Sequence, residues 1–189
     1  MNIDISRLES EVREAIAKSI TVETEVLELL SKDVSMLVRR NVAANLTSTE
    51  AILENLSKDD DVYVRLGVAS NPSTSCKILD YLSKDEDDKV RFEVARNERT
   101  LSETLVYLAS DNHPVIRRNV AINKNTLPET LAILGEEQYD FGVKYFVAHN
   151  PNTPKEVSVK IKRVLPINQW AITPNIEMLQ NDDEDDDWY

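Results

Sequence analysis

Apolar and polar positions along this chain repeat with a period of 26 residues. Each copy has a valine or isoleucine anchor followed by a basic residue, and the anchors are 26 residues apart four times and 27 residues apart once. An alanine stands five residues after every anchor, and an asparagine stands two residues further on in five of the six copies. The anchor pairs are Val12-Arg13, Val38-Arg39, Val64-Arg65, Val90-Arg91, Ile116-Arg117 and Val143-Lys144. A fixed period of this length predicts a stacked solenoid.

The copy that begins at Val64 predicts two short helices joined by a turn. Val64 and Val68 share one face of a helix because they are four residues apart. Asn71-Pro72 is expected to end that helix, since proline cannot continue it. The second helix then carries its apolar side chains at Ile78, Leu79 and Leu82.

A hydroxyl residue follows each asparagine turn and predicts a helix cap. It is found at Ser48, Thr74, Thr100, Thr126 and Thr153. We expect these side chains to cap the second helices. Glu129 and Glu156 complete two apparent capping boxes, and Pro154 is expected at a first helical position.

The pattern resembles the variant leucine-rich repeat family, which is allied to HEAT-like helical repeats. The resemblance covers roughly residues 12–163 and is carried best by the run from Val143 to Pro154. It implies an all-α, right-handed α-solenoid of about six helix–turn–helix repeats. Some relatives hold an amino-terminal iron–sulfur cluster on cysteines. This chain has no cysteine there, so no cofactor is expected.

Three segments follow from this pattern. Residues 1–163 are predicted to form the helical repeat array, with copies starting near residues 12, 38, 64, 90, 116 and 143. Residues 164–180 are predicted to form a degenerate carboxy-terminal cap, because Thr173-Pro174 repeats the chemistry of a helix start. Residues 181–189 are mostly acidic and predict a disordered, solvating tail.

Two further recurring residue types predict structural ladders. An aspartate precedes the basic residue of the next copy by six positions, at Asp33, Asp59, Asp85 and Asp111. In HEAT-like repeats such aspartates and arginines pair between neighbouring copies and fix their register, so the resemblance implies the same pairing here. The asparagines are expected to bond their own backbone in the turn.

Positions that vary between copies are the candidates for partner recognition. They lie two and six residues after the anchor and include Arg40, Arg96 and Arg118. With Arg99, these arginines would form a basic patch that binds a partner. A solvated face of mixed charge is the alternative.

An aromatic cluster interrupts the period before the last copy. Its members are Tyr139, Phe141, Tyr145 and Phe146. Phe146 takes a position held by polar residues or glycine elsewhere, so an exposed ring that needs a cover is expected. That cover would be a partner protein or the segment 164–180. Trp188 and Tyr189 give the acidic tail an aromatic end that would anchor it on a partner.

Charge and composition narrow the function classes. The net charge is −12, which argues against non-specific nucleic-acid binding because such binding neutralises phosphates. There is one cysteine, no long apolar run and no secretory pattern at the amino terminus. These features predict a cytoplasmic protein that does not enter membranes.

No catalytic constellation, metal motif or small-molecule site is visible in the sequence. The primary prediction is therefore a non-catalytic scaffold that binds a protein partner through variable positions of the solenoid. One alternative is an acidic nucleic-acid mimic that inhibits a DNA- or RNA-binding protein. Another is a HEAT-like DNA glycosylase, with Glu93 or Asp140 as its catalytic acid.

Overall fold

The computed structural model describes residues 5–136 and 140–165, and this part of the chain is helical without strands. A short 3₁₀ helix at Ile5–Arg7 precedes six pairs of α-helices. The first helices of the pairs are α1 (Ser10–Lys18), α3 (Met36–Ala44), α5 (Val62–Ser70), α7 (Asp88–Arg96), α9 (Pro114–Ile122) and α11 (Phe141–His149). The second helices are α2 (Thr24–Leu30), α4 (Glu50–Leu56), α6 (Cys76–Leu82), α8 (Ser102–Leu108), α10 (Pro128–Gly135) and α12 (Lys155–Val164). None of these helices is long and apolar enough to cross a bilayer.

The pairs stack into one continuous hydrophobic core, which confirms the predicted all-α solenoid of repeats. Each first helix from α3 onward buries its anchor and the residues four and five positions later, as Val64, Val68 and Ala69 do in α5. The second helices bury the predicted leucines and isoleucines. A single copy cannot enclose such a core, so each copy relies on its neighbours.

Small residues let the first helices pack directly on one another from α1 to α11. Gly67 lets the backbones of α3 and α5 approach closely. A Cβ atom added to Gly67 would lie 3.1 Å from the Cβ of Ala43 and 3.3 Å from the carbonyl oxygen of Arg40. The small side chain of the recurring alanine therefore lets neighbouring first helices lie close together.

The recurring asparagines join successive copies as well as closing their own turns. The Oδ1 of Asn71 accepts a hydrogen bond from the Ser73 N–H at 2.8 Å, which confirms the predicted turn. Its Nδ2 also donates to the carbonyl oxygens of Ala43 at 2.7 Å and Asn45 at 3.0 Å in the preceding copy. The other members of this buried ladder are Asn45, Asn97, Asn123 and Asn150.

The predicted capping role of the hydroxyl residues is wrong, and so is the placement of Pro154 at a first helical position, because Pro154 precedes α12 as its cap residue. Thr74 is fully buried, and its Oγ1 donates to the carbonyl oxygen of Val68 at 2.6 Å, at the end of the helix before it. The residue at the cap of α6 is Ser75, and its side chain makes no cap bond. The same bond to the carbonyl six residues earlier is made by Ser48, Thr100, Thr126 and Thr153.

The two capping boxes are wrong for the same reason. The threonine hydroxyls bond backward, so they are not available to α10 and α12. The cap positions of these helices are held by Leu127 and Pro154 without a side-chain bond. Side-chain caps instead begin three first helices, where Asp61, Asp87 and Asp140 accept backbone N–H bonds.

The predicted arginine–aspartate ladder is confirmed. Arg39 binds Asp59 with two parallel bonds, from Nε at 2.7 Å and Nη2 at 2.9 Å. Its Nη1 donates to the backbone carbonyl of Asp33 at 2.8 Å, so one guanidinium joins the loops on both sides of its copy. The equivalent pairs are Arg13 with Asp33, Arg65 with Asp85 and Arg91 with Asp111.

These pairs alter the acidity of the aspartates. Burial by itself would raise the pKa of Asp59. Hydrogen bonds from Arg39 and from the Asp61 N–H, together with the charges of Arg39 and Arg65, outweigh burial and lower this pKa below its usual value. The pKa values of Asp33 and Asp111 are lowered by the same balance of effects. These three aspartates are therefore charged at neutral pH.

Helix α12 closes the described part of the array. It packs on both α10 and α11. A Cβ atom added to Gly135 would lie 3.0 Å from the Cδ1 of Ile161, so the glycine makes room for α12. Leu165 packs against the core beyond it. The predicted cap at 164–180 otherwise lies outside the described residues, as does the predicted tail at 181–189.

Candidate interaction surface

Three positions of each first helix form one continuous side of the solenoid, which we call the first-helix face. They lie one residue before, two residues after and six residues after the anchor. From α3 to α11 none of them is buried, which confirms that the variable positions face outward. The face comprises Leu37, Arg40, Ala44, Tyr63, Leu66, Ser70, Lys89, Phe92, Arg96, Val115, Arg118, Ile122, Gly142, Tyr145 and His149.

Apolar and aromatic side chains occupy the middle of this face. Tyr63 on α5 and Ile122 on α9 are 43% and 42% exposed, which is high for such side chains. Leu66 and Phe92 are half-buried, so one side of each rests on the core and the other faces outward. Three neighbouring helices thus present a surface on which an apolar partner residue could be desolvated.

The predicted arginines lie on this face, but each one already has a neighbour. The guanidinium of Arg40 lies over the ring of Tyr63, 5.9 Å from its centroid. Arg96 is 3.5 Å from Glu93, and Arg118 is 3.1 Å from Asp140. They are spread over α3, α7 and α9. The predicted compact basic patch is therefore wrong. The arginines are separate cations that lie among apolar side chains.

The side chain of Arg118 occupies space that is free because residue 142 is a glycine. A Cβ atom at Gly142 would lie 2.6 Å from the Nε of Arg118, so this arginine crosses the space where other first helices carry a side chain. Asp140 holds the guanidinium there and also accepts the Val143 N–H at 3.0 Å. The glycine in the irregular copy therefore positions Arg118 on the face.

The aromatic residues of the irregular copy divide into a packed and an exposed group. The predicted cover of Phe146 by a partner or by the segment 164–180 stays a prediction, but the ring is less exposed than expected because it is half-buried against the core. Its position points between neighbouring first helices, as that of Gly67 does. Phe141 is 47% exposed at the start of α11. Tyr139, Trp188 and Tyr189 lie outside the described residues.

Tyr145 links this group to the face. Its ring meets Phe146 edge-on with centroids 5.4 Å apart and lies 4.3 Å from the His149 ring. The Nδ1 of His149 donates to the backbone carbonyl of Tyr145 at 2.7 Å. The three rings give the last first helix a rigid aromatic surface.

The two acids considered for catalysis both have structural contacts. The side chain of Glu93 is 16% exposed and faces Arg96. That of Asp140 is 9% exposed and is occupied by Arg118 and the cap of α11. Neither projects alone into a groove.

One row of the face was missed by the sequence reasoning. The position before the anchor contributes Leu37, Tyr63 and Val115 to the face, in addition to the two predicted positions after the anchor. The signal was present, since this position lies on the same helical side as those two and six residues after the anchor.

Comparisons with known proteins support the same fold. No protein-family model and no curated protein sequence matches the chain. A solved structure described as a leucine-rich repeat variant with a novel repetitive protein structural motif matches with a TM-score of 0.62 and 27% identity. The match covers 82% of this chain and 66% of that protein, so this chain spans less than two thirds of its length. The chain is therefore a helical repeat protein with the fold of the leucine-rich repeat variant.

Proposed function

We propose that this chain is a non-catalytic scaffold that binds a protein partner in the cytoplasm through its first-helix face. The observation that carries the proposal is the contrast between repeated and unrepeated positions. Residues of the core, the asparagine ladder and the arginine–aspartate ladder recur from copy to copy. The face differs in every copy, which is what a surface that recognises one particular partner requires.

The first-helix face alone is smaller than one side of a standard protein interface. Five helices spaced roughly 8–10 Å apart span about 40 Å, and a nine-residue helix is about 13 Å long. The resulting area of roughly 500 Å² is below the ~800 Å² per partner of a standard interface, so flanking turns would also contact the partner.

The residue types of the face are those that dominate binding energy. Tyrosine and arginine are enriched among the residues whose truncation weakens protein complexes most. Tyr63, Arg96 and Arg118 combine these types with apolar neighbours that exclude water. A partner with acidic and apolar side chains would match them.

The described acidic residues favour the scaffold over the nucleic-acid mimic. Asp59 and Asp85 bind ladder arginines, while Asp61 and Asp87 cap first helices. Carboxylates with these structural contacts are poor substitutes for a row of phosphates. The acidic segment at 182–187 lies outside the described residues.

A matched pair of triple variants tests the proposal. Tyr63→Ala, Arg96→Glu and Ile122→Ala change the first-helix face. Tyr81→Ala, Lys77→Glu and Val106→Ala make similar changes on exposed second-helix residues. Immobilised wild-type chain and both variants would be compared for the proteins they retain from a cytoplasmic lysate.

We expect the wild type and the second-helix variant to retain equal amounts of one partner protein. The face variant should retain at least about 10-fold less of it. Retention of every captured protein by the face variant at wild-type levels would refute the proposal. Circular dichroism of both variants establishes that they are folded.

A further inference from the structure

The outer face of α12 is the most basic surface of the last copy. Lys155, Lys160, Lys162 and Arg163 are all exposed on it, while Val157 and Ile161 point inward. Lys160 lies 2.8 Å from Glu136, and both side chains are more than two-thirds exposed. Within the residues that the structure describes, Lys155, Lys162 and Arg163 have no carboxylate partner.

This basic surface contrasts with the rest of the chain. Residues 141–165 contain five basic residues and one acidic residue, a net charge of +4, although the whole chain carries −12. The ladder arginines do not offer an equivalent surface because their guanidiniums are bound to aspartates. Arg96 and Arg118 of the first-helix face also lie beside carboxylates.

The complementary charge lies further along the same chain. Asp182 to Asp187 are six consecutive acidic residues, followed by Trp188 and Tyr189. Sixteen residues separate this segment from Leu165, the end of the described part. They can span up to about 55 Å, whereas α12 is about 15 Å long. The acidic segment can therefore reach any point of the helix, even if the intervening residues are far from extended.

We propose that the outer face of α12 binds the segment 182–189 of the same chain. The carboxylates pair with Lys155, Lys160, Lys162 and Arg163. The aromatic rings of Trp188 and Tyr189 contact Val159 and Val164, which are 40% and 60% exposed beside these cations. Aromatic rings also bind lysine and arginine directly, so the two kinds of contact reinforce one another.

Because the acidic segment and α12 belong to one chain, weak contacts are enough to hold the segment on the helix. A single exposed ion pair contributes little. A segment on the same chain, however, is present at a local concentration on the order of millimolar, so several weak pairs hold it in place. Salt screens such pairs beyond a distance of about 10 Å at 0.1 M ionic strength. The contact should therefore be strong at low salt and weak at high salt.

Paramagnetic broadening in the full chain tests the contact. A spin label is attached to Glu156→Cys on α12 in a Cys76→Ser background, and the amide signals of residues 182–189 are recorded by NMR. We expect these signals to be lost at low salt and to return at high salt. The control label is on the native Cys76, which is exposed on the distant α6 and should leave the signals intact.

Charge reversal on each side identifies the contact. Lys160→Glu, Lys162→Glu and Arg163→Glu should restore the signals, whereas reversal of the exposed Lys18, Lys32 and Lys77 should not. Replacing Asp182, Asp183, Asp185 and Asp186 by lysine should also restore them. Combining the acidic-side and basic-side reversals should cause the loss again.

Three results would overturn the proposal. They are intact tail signals at low salt with the label on α12, broadening that survives both reversals, and broadening that appears only between separately labelled copies. The acidic-side variant leaves every described residue unchanged, so its result does not depend on whether α12 tolerates reversal. The proposal concerns α12 and not the first-helix face, so it stands or fails independently of the proposed function.

Discussion

The Oγ of Ser158 donates a hydrogen bond of 2.8 Å to the carbonyl oxygen of Ala148. In each of the five preceding copies the corresponding alanine carbonyl accepts a bond from an asparagine of the next copy, as Ala121 does from Asn150. No such asparagine follows Ala148 among the described residues. A serine on α12 therefore takes the place of the next copy and ends the ladder.

Replacing Ser158 by alanine should loosen the last copy. The loss of a hydrogen bond to a partly buried carbonyl costs about 1–3 kcal/mol, and the helix propensity of alanine offsets roughly 0.5 kcal/mol of it. We expect a net loss of about 1 kcal/mol in urea unfolding, with faster hydrogen exchange in α11 and α12. Ser70→Ala on α5 is the control, because the Ser70 bond is local, and it should change little. Equal effects of the two substitutions would contradict the role of Ser158.

Replacing Asn71 by alanine should cost more, because three hydrogen bonds are lost at once. At about 1 kcal/mol each, the free energy of unfolding should fall by about 3 kcal/mol. Asn71→Asp retains the acceptor but places a carboxylate against two carbonyl oxygens, so it should be at least as harmful. Asn55→Ala, on the exposed side of α4, should be nearly neutral. Urea unfolding followed by circular dichroism measures all three.

Thr74 and Ser75 are neighbours with opposite bonding: the Thr74 hydroxyl has a partner, and the Ser75 hydroxyl has none among the described residues. Thr74→Val keeps the shape but leaves the carbonyl of Val68 without its partner, so a loss of about 1–2 kcal/mol is expected. Ser75→Ala should be neutral or stabilising, since the buried Ser75 Oγ has no hydrogen-bond partner among the described residues. A larger loss from Ser75→Ala than from Thr74→Val would contradict the bond from the Thr74 hydroxyl to the Val68 carbonyl.

The ladder predicts how stability depends on pH. The pKa values of Asp33, Asp59 and Asp111 are lowered in the folded chain, so they lie below the ~3.9 of an unfolded aspartate. Their contribution is complete above that unfolded value and is lost as the pH falls through the lower folded values. We expect the urea concentration at which half of the protein is unfolded to decrease when the pH is lowered below about 4.

A single substitution isolates this effect. Asp59→Asn should be less stable than the wild type at neutral pH and should lose less stability on acidification. Asp60→Asn, at the neighbouring exposed position, should retain the wild-type pH dependence. A parallel pH dependence for Asp59→Asn and the wild type would show that the pair contributes nothing.

The period predicted the helices, the core and the arginine–aspartate pairs because each depends on spacing along the chain. It did not predict the acceptor of the Thr74 hydroxyl or the two acceptors of the Asn71 Nδ2. A threonine after a turn can bond to the helix before it or the helix after it, and sequence does not show which carbonyls lie nearby. Tertiary packing decides this, since Asn71 donates to residues of the preceding copy.

The candidate surface was predicted in part for the same reason. Variation at Arg40 and Arg96 indicated an outward side, and the structure places both there. The half-burial of Phe146 was not predicted because spacing along the chain does not show how closely the core packs against this position. The closing role of α12 was also missed, because Ser158 has no counterpart in the other copies.

Photo-crosslinking from the first-helix face tests the central claim most directly. A photoreactive phenylalanine analogue would replace Tyr63 on α5 in one sample and Tyr107 on α8 in another. Both tyrosines are exposed, by 43% and 54%, but they lie on opposite helix layers. We expect a discrete crosslinked protein from position 63 inside cells and none from position 107. Crosslinks from position 107 with none from position 63 would contradict the account.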